Sequence, residues 1–442
     1  MVGLEGSLLE AGQALRRGEV TSVELTERAL AVADEFGVYL ARFPDHALAS
    51  ARRADRDFAA GVDRGPVQGI PLGVKDLIAV AEGPTTAQSV VLDWGTGVDA
   101  AVTRRLKAAG GVIVGKTSTM EFGCGVPDGT KPFPIPRNPR DTERWAGGSS
   151  SGTASGVAAG MFFAGLGSDT AGSIRMPAAF CGVTGLMPTH GRVSGAGCVP
   201  LASSLDRVGP LARTVRDCAA LLEVIAEVPF VAPEFTGDLT GLRIGVVREH
   251  HFPEGADPAL AGVFDEALSA LEGLGAELVE VALPHWSELT TAVLVTASCE
   301  ALAQHRSELI TRWHDYGVST RAIFAAGSLI SGADYVQAQR VRQVARRELT
   351  RLLEDVDVIA SPVASIGAPL LTVVADEAGQ QNADVFGKIN TPYWNGVGNP
   401  VLAVPMGETA DGLPLSLQLA GDLFDEATVL RVGEAFQRQE VR

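Results

Sequence analysis

Trp145-Ala-Gly-Gly-Ser-Ser-Ser-Gly-Thr-Ala-Ser-Gly156 is followed, after an apolar segment, by Gly165-Leu-Gly-Ser-Asp-Thr-Ala-Gly-Ser-Ile-Arg175. The chain is rich in glycine, with 51 of 442 residues, and part of this glycine lies in these two loops. Glycine permits positive φ and close backbone approach, so such loops can aim several amide N–H groups at one point, as an oxyanion requires. A flexible linker is the alternative, but a linker does not enclose a core-like segment such as residues 157–166.

Outside the two loops, helix and strand patterns alternate along the chain. Thr21 and Glu24 form a capping box that predicts a helix beginning near Ser22. Residues 69–76 and 112–114 have the short apolar pattern of strands, and residues 100–109 that of a helix. Similar alternation continues to about residue 360. It predicts an α/β fold, a single large domain with a central mixed β-sheet covered by helices on both faces.

The expected organisation is one domain over residues 1–442, because no long Pro/Gly/Ser linker interrupts the first part of the chain. Within it we expect four portions: an N-terminal helical segment (1–60), a core holding the two loops (65–225), a more variable α/β portion (230–379) and a C-terminal return to the core sheet (380–442).

Composition excludes several classes of protein. A net charge of -17 argues against direct nucleic-acid binding, which needs clustered positive charge. The most apolar stretch, residues 154–167, is broken by glycines and is shorter than the ~20 residues that span a bilayer, so no membrane contact is expected. Five scattered cysteines without a C-x-x-C pair, and no signal-peptide pattern at the N-terminus, favour a reduced cytoplasmic location.

Two motif matches fail in their context. Gly110 to Thr117 fits a P-loop, but its variable positions are a predicted strand preceded by a helix, the reverse of the required order. Gly148-x-Ser150-x-Gly152 fits a nucleophile elbow, but residues 137–144 before it do not have a strand pattern. A Ser-His-Asp triad would need a histidine near the loops, and only His190 qualifies for a check. No metal-ligand pattern is present, and we expect neither metal nor cofactor.

Three motifs recur in order: Gly-Val-Lys75-Asp, then Gly-Gly-Ser149-Ser150-Ser-Gly, then Gly-Ser-Asp-Thr-Ala-Gly-Ser173-Ile-Arg, with spacings of 74 and 24 residues between Lys75, Ser149 and Ser173. Together they resemble the amidase signature family. Further similar stretches extend the resemblance over nearly the whole chain; they begin at Glu121, Ser204, Asp357, Gly398 and Gly412.

The resemblance implies a Ser-Ser-Lys hydrolase. Ser173 would be the acyl-forming nucleophile, Ser149, expected to follow a cis peptide bond, the proton shuttle, and Lys75 the general base. The oxyanion hole would be built from the backbone amides of Thr170, Ala171, Gly172 and Ser173, and the predicted substrate-binding residues are Gly123, Cys124 and Gly125.

The implied role of Lys75 sets a physical condition, because a lysine is a base only when neutral. With an ordinary pKa of ~10.4, almost every lysine is charged at pH 7. We therefore expect a buried amine, consistent with the apolar neighbours Val74 and Leu77. An inward-pointing Arg175 would lower the lysine pKa further.

Two positions depart from the usual family pattern, which has glycine where this chain has Ser151 and Ala171. If position 171 needed positive φ, alanine would cost roughly 1 kcal/mol or more. The loop after Glu121 also departs from the family, which leaves the identity of the substrate open. Several aromatic and basic residues could line a pocket, although packing is the more common role of aromatic side chains: Trp145, Trp313, Phe324, Tyr393, Trp394, Arg321 and Arg340.

We therefore expect a metal-free amidase that hydrolyses a linear carboxylic amide C–N bond through a Ser173 acyl-enzyme. Its expected partner is a small-molecule amide substrate, with no direct contact to nucleic acid and no membrane, and a homodimer is left open. The alternative is the amidase (A) subunit of a tRNA-dependent glutamine amidotransferase complex, which feeds ammonia to a partner. A third hypothesis is a catalytically inactive scaffold.

Overall fold

The computed structural model describes residues 3–92, 94–375 and 380–440. The described residues form one sheet of eleven strands and a separate two-stranded hairpin. In chain order the strands are β1 (Tyr39–Arg42), β2 (Pro71–Lys75), β3 (Val112–Thr117), β4 (Arg137–Asn138), β5 (Asp141–Trp145), β6 (Ala164–Asp169), β7 (Thr184–Met187), β8 (Arg207–Ala212), β9 (Arg243–Val246), β10 (Glu277–Glu280), β11 (Val358–Pro362), β12 (Val401–Glu408) and β13 (Pro414–Ala420).

The large sheet is mixed, as predicted from the sequence. Its order is β1-β3-β2-β6-β8-β7-β12-β13-β11-β9-β10. Strands β3, β2 and β6 are parallel to one another, and so are β11, β9 and β10. The pairs between β6 and β11 are antiparallel. The portion from residue 230 to 379 thus adds β9, β10 and β11 to the same sheet.

Helices connect and cover the strands. They are α1 (Leu8–Arg16), α2 (Ser22–Ala31), α3 (Pro44–Ala59), α4 (Ala101–Ala108), α5 (Ser151–Ala158), α6 (Arg175–Cys181), α7 (Val215–Ile225), α8 (Leu260–Gly273), α9 (Trp286–Arg312), α10 (Val318–Ala326), α11 (Gly332–Asp355), α12 (Leu371–Val374), α13 (Gln380–Phe386), α14 (Pro392–Val397) and α15 (Glu426–Glu440), with 3-10 turns at Glu121–Gly123, Trp313–Asp315 and Gly327–Leu329. Within the described ranges, no helix has the length and apolar content needed to cross a membrane.

Local signals in the sequence account for several boundaries. At the start of α2, the Glu24 amide donates to Thr21 Oγ1 at 3.1 Å and the Thr21 amide donates to Glu24 Oε2 at 2.8 Å, which confirms the predicted capping box. Residues 112–117 of the P-loop match form β3, so this part of the match is committed to the sheet. The apolar segment 157–166 is not one element but the end of α5, a turn and the start of β6.

One prediction about local structure is wrong. Residues 137–144, expected to lack strands, form the β4–β5 hairpin, in which Arg137 pairs with Trp145. The strand pattern was not recognised because a two-stranded ribbon needs only one buried face, so charged side chains can occupy the other face. Asn138 anchors it, since its Nδ2 donates to the carbonyl of Phe180 at 2.8 Å.

The side chain of Phe162 fills the space between β2 and α5. It is fully buried, and its ring centre lies 6.0 Å from that of Tyr39. A Cβ on Gly73 of β2 would come within 2.6 Å of Phe162 Cζ, and one on Gly156 of α5 would also collide with the ring. The two glycines therefore allow the phenyl ring to pack beneath the strand that ends at Lys75.

We predict that Phe162→Ala lowers the free energy of unfolding by about 3–5 kcal/mol, because it leaves a cavity that the surrounding backbone cannot fill. Urea denaturation followed by circular dichroism measures the change. Phe386→Ala is the matched control, since that ring is 41% exposed and should cost much less. Equal losses for the two variants would contradict this account of the packing.

Candidate active site

Lys75 ends β2 and carries the amine at the centre of the candidate site. Its side chain is fully buried, and the flanking Val74 and Leu77 are buried as well, as the sequence predicted. β2 pairs in parallel with β6, so the carboxyl ends of the two strands lie at the same edge of the sheet. The chain before α5 brings Ser149 and Ser150 to this edge.

Four oxygen atoms from three serines surround the lysine amine. Nζ lies 2.7 Å from Ser149 Oγ, 3.0 Å from Ser150 Oγ, 3.0 Å from Ser168 Oγ and 3.4 Å from the Ser168 carbonyl. The peptide bond between Gly148 and Ser149 is cis, as the family resemblance implied.

The hydrogen bonds of Ser150 distinguish the two loop serines. Ser150 Oγ donates to the Ser168 carbonyl at 3.1 Å and accepts the Ser168 amide at 3.2 Å. Its proton is therefore already used, and it faces Lys75 as an acceptor. Ser149 is the closer hydroxyl, and it can donate to the lone pair of a neutral amine. Ser150 is also fully buried, which is unlike the exposed serine of a nucleophile elbow.

Burial lowers the pKa of Lys75 to about 7, against the opposing attraction of the Asp169 and Asp206 carboxylates. Removing an ammonium from water favours the neutral amine, and no carboxylate among the described residues forms an ion pair with Lys75 that would oppose this. Arg175 would lower this pKa further only if its charge faced the lysine. Its guanidinium turns to Asp169, with Nη2 donating to Oδ1 at 3.0 Å, and so does not act on the lysine.

Asp169 organises the loop that carries Ser173. Its carboxylate accepts the Gly172 amide at 2.7 Å and the Ile174 amide at 3.0 Å, in addition to the Arg175 guanidinium. Burial raises the pKa of Asp169, but the Arg175 charge and these donors outweigh it and hold the pKa below its ordinary range. The carboxylate therefore stays ionised and fixes the turn around Ser173.

The conformation of the loop is set at Gly172, not at Ala171. Gly172 has φ +133, and a Cβ there would collide with the side chain of Thr391. Ala171 is not among the residues with positive φ, so alanine is accepted without backbone strain. Thr391 Oγ1 donates to the Ala171 carbonyl at 2.6 Å, which holds the loop from the other side.

The predicted oxyanion donors divide into two groups. The Gly172 amide already donates to Asp169, so it supports the loop and is not free for a ligand. Within the described part of the chain, the amides of Thr170, Ala171 and Ser173 have no hydrogen-bond acceptor. These three remain the predicted oxyanion donors. The Ser173 side chain is partly exposed, and its carbonyl accepts the Ser150 amide at 3.0 Å.

The predicted substrate-binding residues occupy different places. A Cβ on Gly123 would lie 3.5 Å from Ser149 Oγ, so this residue is beside the site. Cys124 packs on an apolar cluster that includes Phe122, and burial raises its thiol pKa to about 12. A Cβ on Gly125 would meet Thr320 Oγ1 at 2.9 Å, which places this glycine against α10.

Sequence reasoning missed the residues that hold the motifs in place. Ser168 and Asp169 lie within the third motif, and their proximity to Ser173 was the only available signal. Thr391 and Asn395 come from α14 and the residue before it; Asn395 Nδ2 donates to Asp169 Oδ1 at 2.9 Å. Among the aromatic candidates for a pocket, those that are fully buried in core clusters have packing roles: Trp145, Phe324, Tyr393 and Trp394.

Comparison with known proteins identifies the family. The model of the Amidase family matches residues 21–430. The chain belongs to the amidase signature family. A relative from Roseiflexus sp. (strain RS-1), named as the A subunit of glutamyl-tRNA(Gln) amidotransferase, is 41% identical over 473 aligned residues that cover 98% of this chain and 96% of that protein.

Solved structures of amidase signature proteins share the fold. A crystal structure described as an amidase has a TM-score of 0.89 and 32% identity, with 98% of this chain and 100% of that chain covered. The A subunit of glutamyl-tRNA(Gln) amidotransferase from Thermotoga maritima has a TM-score of 0.82 and 29% identity, with 99% and 96% covered.

The names of these relatives contradict our prediction about partners. We expected a small-molecule amide, no direct contact to nucleic acid and no partner other than a second copy of the chain, which was left open, whereas these two relatives are named as one subunit of an enzyme of glutamyl-tRNA(Gln). The net charge of -17 misled us, because it describes this chain's own surface and says nothing about what another subunit binds.

We predict that Gly172→Ala lowers kcat for amide hydrolysis by about 10²–10³, the cost of losing an oxyanion donor, because the new methyl group would collide with Thr391 and displace the neighbouring amides of Ala171 and Ser173. Steady-state kinetics measures this loss with an amide that the wild-type protein hydrolyses under the same conditions, alone or with its partner subunits. Gly195→Ala is the control, since a Cβ there meets no atom within 4 Å. Unchanged kcat in Gly172→Ala would refute the role of this turn.

The pKa of Lys75 also predicts how stability depends on pH. Between a folded pKa of about 7 and the ordinary value of 10.5, the unfolded chain holds a proton that the folded protein lacks. The free energy of unfolding should therefore rise with pH across this window, by up to about 1.4 kcal/mol per pH unit relative to Lys75→Met. Denaturant titrations of both proteins at pH 7, 8 and 9 measure the difference. Parallel pH dependences would contradict a neutral buried lysine.

Proposed function

We propose that this chain is the ammonia-producing subunit of an amidotransferase that acts on glutamyl-tRNA(Gln). In this role it hydrolyses the side-chain amide of glutamine through a Ser173 acyl-enzyme. Two independent observations support the proposal. The named relatives align over almost their full length, one of them at 41% identity, and the Lys75 amine, whose pKa is about 7, lies 2.7 Å from Ser149 Oγ. The second observation carries the chemistry.

The proposed proton path runs from Ser173 to Ser149 to Lys75. As Ser173 Oγ attacks the amide carbonyl, its proton passes to Ser149 Oγ while the Ser149 proton passes to the neutral amine of Lys75. Collapse of the tetrahedral intermediate breaks the C–N bond, and the same two groups return the proton to the leaving nitrogen, which departs as ammonia. Water then repeats the sequence on the ester, which releases the acid and restores Ser173.

Stabilisation of the intermediate is assigned to the loop between Asp169 and Ser173. The developing oxyanion would accept hydrogen bonds from the three amides for which the described residues offer no acceptor, those of Thr170, Ala171 and Ser173. Thr170 is positioned by its side chain, because its Oγ1 donates to Asp206 Oδ1 at 2.6 Å. The buried Asp169–Arg175 pair keeps these amides in place before substrate arrives.

A second candidate is an amidase that acts alone on another linear amide. The similarity to a solved amidase, at a TM-score of 0.89, favours this reading equally at the level of fold. Both candidates use the same Ser173 chemistry, so they differ in substrate and in whether another subunit is needed. The experiments below separate catalysis from partner dependence.

We predict that a fluorophosphonate probe labels Ser173, because a serine activated by a neutral base is nucleophilic. Mass spectrometry of the labelled peptide identifies the site. Ser173→Ala should abolish the adduct and lower kcat by several orders of magnitude. Ser307→Ala, an exposed serine on α9, should change neither. An unlabelled wild-type protein would instead support the inactive-scaffold hypothesis.

The partner test compares the chain alone with the chain co-expressed with the other amidotransferase subunits of its source organism. We predict that glutamine hydrolysis appears or rises strongly only in the assembled complex, and that glutamyl-tRNA(Gln) increases it further. Release of ammonia from glutamine is measured beside a panel of benzamide-type, aliphatic and carboxylate-bearing amides. Efficient hydrolysis of one of these amides by the chain alone, with no glutamine hydrolysis in the complex, would overturn the proposal in favour of the second candidate.

A further inference from the structure

The C-terminal end of α14 is held by arginine side chains. Arg207 Nη2 donates to the Asn395 carbonyl at 3.2 Å, Arg342 Nε donates to the Gly396 carbonyl at 3.2 Å, and Arg346 Nε donates to the Val397 carbonyl at 2.6 Å. The last carbonyls of a helix lack partners within the helix and carry partial negative charge, so cations are favourable there.

This helix end does not neutralise the arginines. A helix C-terminus carries roughly half an elementary negative charge, whereas Arg207, Arg342 and Arg346 bring three full positive charges. Within the described part of the chain, no carboxylate oxygen lies within 4.0 Å of any of these guanidinium groups. We call the region formed by these three arginines, His190 and Gly398 the arginine cleft.

The carboxylates that attract Arg207 and Arg342 already have other hydrogen-bond partners. Asp169 attracts Arg207 at longer range, but it is paired with Arg175. Glu300 attracts Arg342, but it accepts the Ser204 amide at 3.0 Å and the Tyr335 hydroxyl at 3.0 Å. The positive charge of the cleft is therefore not balanced by the side chains that face it.

The inner arginine has unused hydrogen-bonding capacity. Arg207 is only 4% exposed, and its Nε has no hydrogen-bond partner among the described residues. Burial is the largest of the causes that lower the pKa of Arg207 to about 9; Asp169 opposes it, and the charges of neighbouring arginines add to it. A buried guanidinium with an unpaired N–H is costly, so a hydrogen-bond acceptor beside the Arg207 guanidinium would be favourable.

The guanidinium groups of Arg207 and Arg346 converge on one point, above Gly398. The Arg342 guanidinium does not reach it, because its two terminal nitrogens donate to Ser204 and Gln339. A Cβ on this glycine would stand 3.6 Å from Arg207 Nη2, 3.6 Å from Arg346 Nη2 and 3.8 Å from His190 Cβ. Gly398 has φ +101, which favours glycine and leaves that point unfilled by a side chain. Arg346 and His190 are exposed, whereas Arg207 and Arg342 are buried, so the point lies between the solvent and the buried arginines.

We propose that the arginine cleft binds a small oxyanion, a carboxylate or a phosphate group, between Arg207 and Arg346 above Gly398. Planar guanidinium groups match the oxygens of both ligand types. The site goes beyond the proposed amide hydrolysis, because it uses a different part of α14. The carbonyl of Asn395 accepts from Arg207 in the cleft, whereas its side-chain amide donates to Asp169 beneath the catalytic loop.

Isothermal titration calorimetry with inorganic phosphate, sulfate and malonate tests the proposal on the full chain, with sodium chloride at matched ionic strength as the reference. Arg346→Met removes the exposed guanidinium while keeping much of its length. Arg347→Met is the matched control, because Arg347 is also exposed but lies about 100° further around α11.

We predict saturable binding of phosphate or malonate that is about tenfold or more weaker in Arg346→Met, the scale of one lost charge-assisted hydrogen bond, and unchanged in Arg347→Met. Tighter binding of phosphate and sulfate than of malonate would assign the ligand as a phosphate group, and the reverse order as a carboxylate. A response no larger than that to chloride would overturn the proposal, and so would equal weakening in the two variants. Circular dichroism verifies that both variants are folded.

Discussion

The contact between the Lys75 amine and the oxygens of Ser149, Ser150 and Ser168 is the constraint on which the site depends. A lysine buried in this way loses its hydration, and burial brings its pKa down to about 7, where a substantial fraction is neutral at physiological pH.

A second buried charge system gives the site its shape. The Asp169 carboxylate, paired with Arg175 and bonded to the Gly172 amide, fixes the turn that presents Ser173. Such a pair stabilises little by itself, but removing one partner costs about 3–5 kcal/mol because the other charge stays buried. It therefore acts as a structural clamp. Asn395 binds Asp169 from α14, so the clamp joins the catalytic loop to the far part of the chain.

The sequence was sufficient for the sheet class and for the residues of the three motifs. Alternation of apolar runs predicted β2 and β3, and the family resemblance implied that Lys75 and Ser149 meet, which they do at 2.7 Å. The motif residues could be found because only a few residue types can serve as the nucleophile or the base of such a reaction, and a motif shows those types directly. The position of Gly172 as the residue with positive φ was not predicted, because a family pattern gives glycines without their dihedral angles.

Other features were beyond sequence reasoning because they depend on contacts between distant segments. Asn395 and Asp169 are separated by 226 residues, and no periodicity links them. The direction of Arg175 was left open for the same reason, since spacing does not show which carboxylate a side chain will meet. The β4–β5 hairpin was missed because its charged residues do not form the apolar pattern of a strand. The prediction about binding partners was wrong because net charge describes one chain and not the subunits it binds.

The central claim, a neutral Lys75 amine at physiological pH, is tested most directly by nuclear magnetic resonance on protein labelled with ¹³C at the lysine Cε. The account predicts one lysine resonance, absent from Lys75→Met, that titrates with a midpoint near 7. If that resonance keeps the shift of a charged lysine up to pH 9, the amine is an ammonium in the folded protein, and the proton path through Ser149 is contradicted.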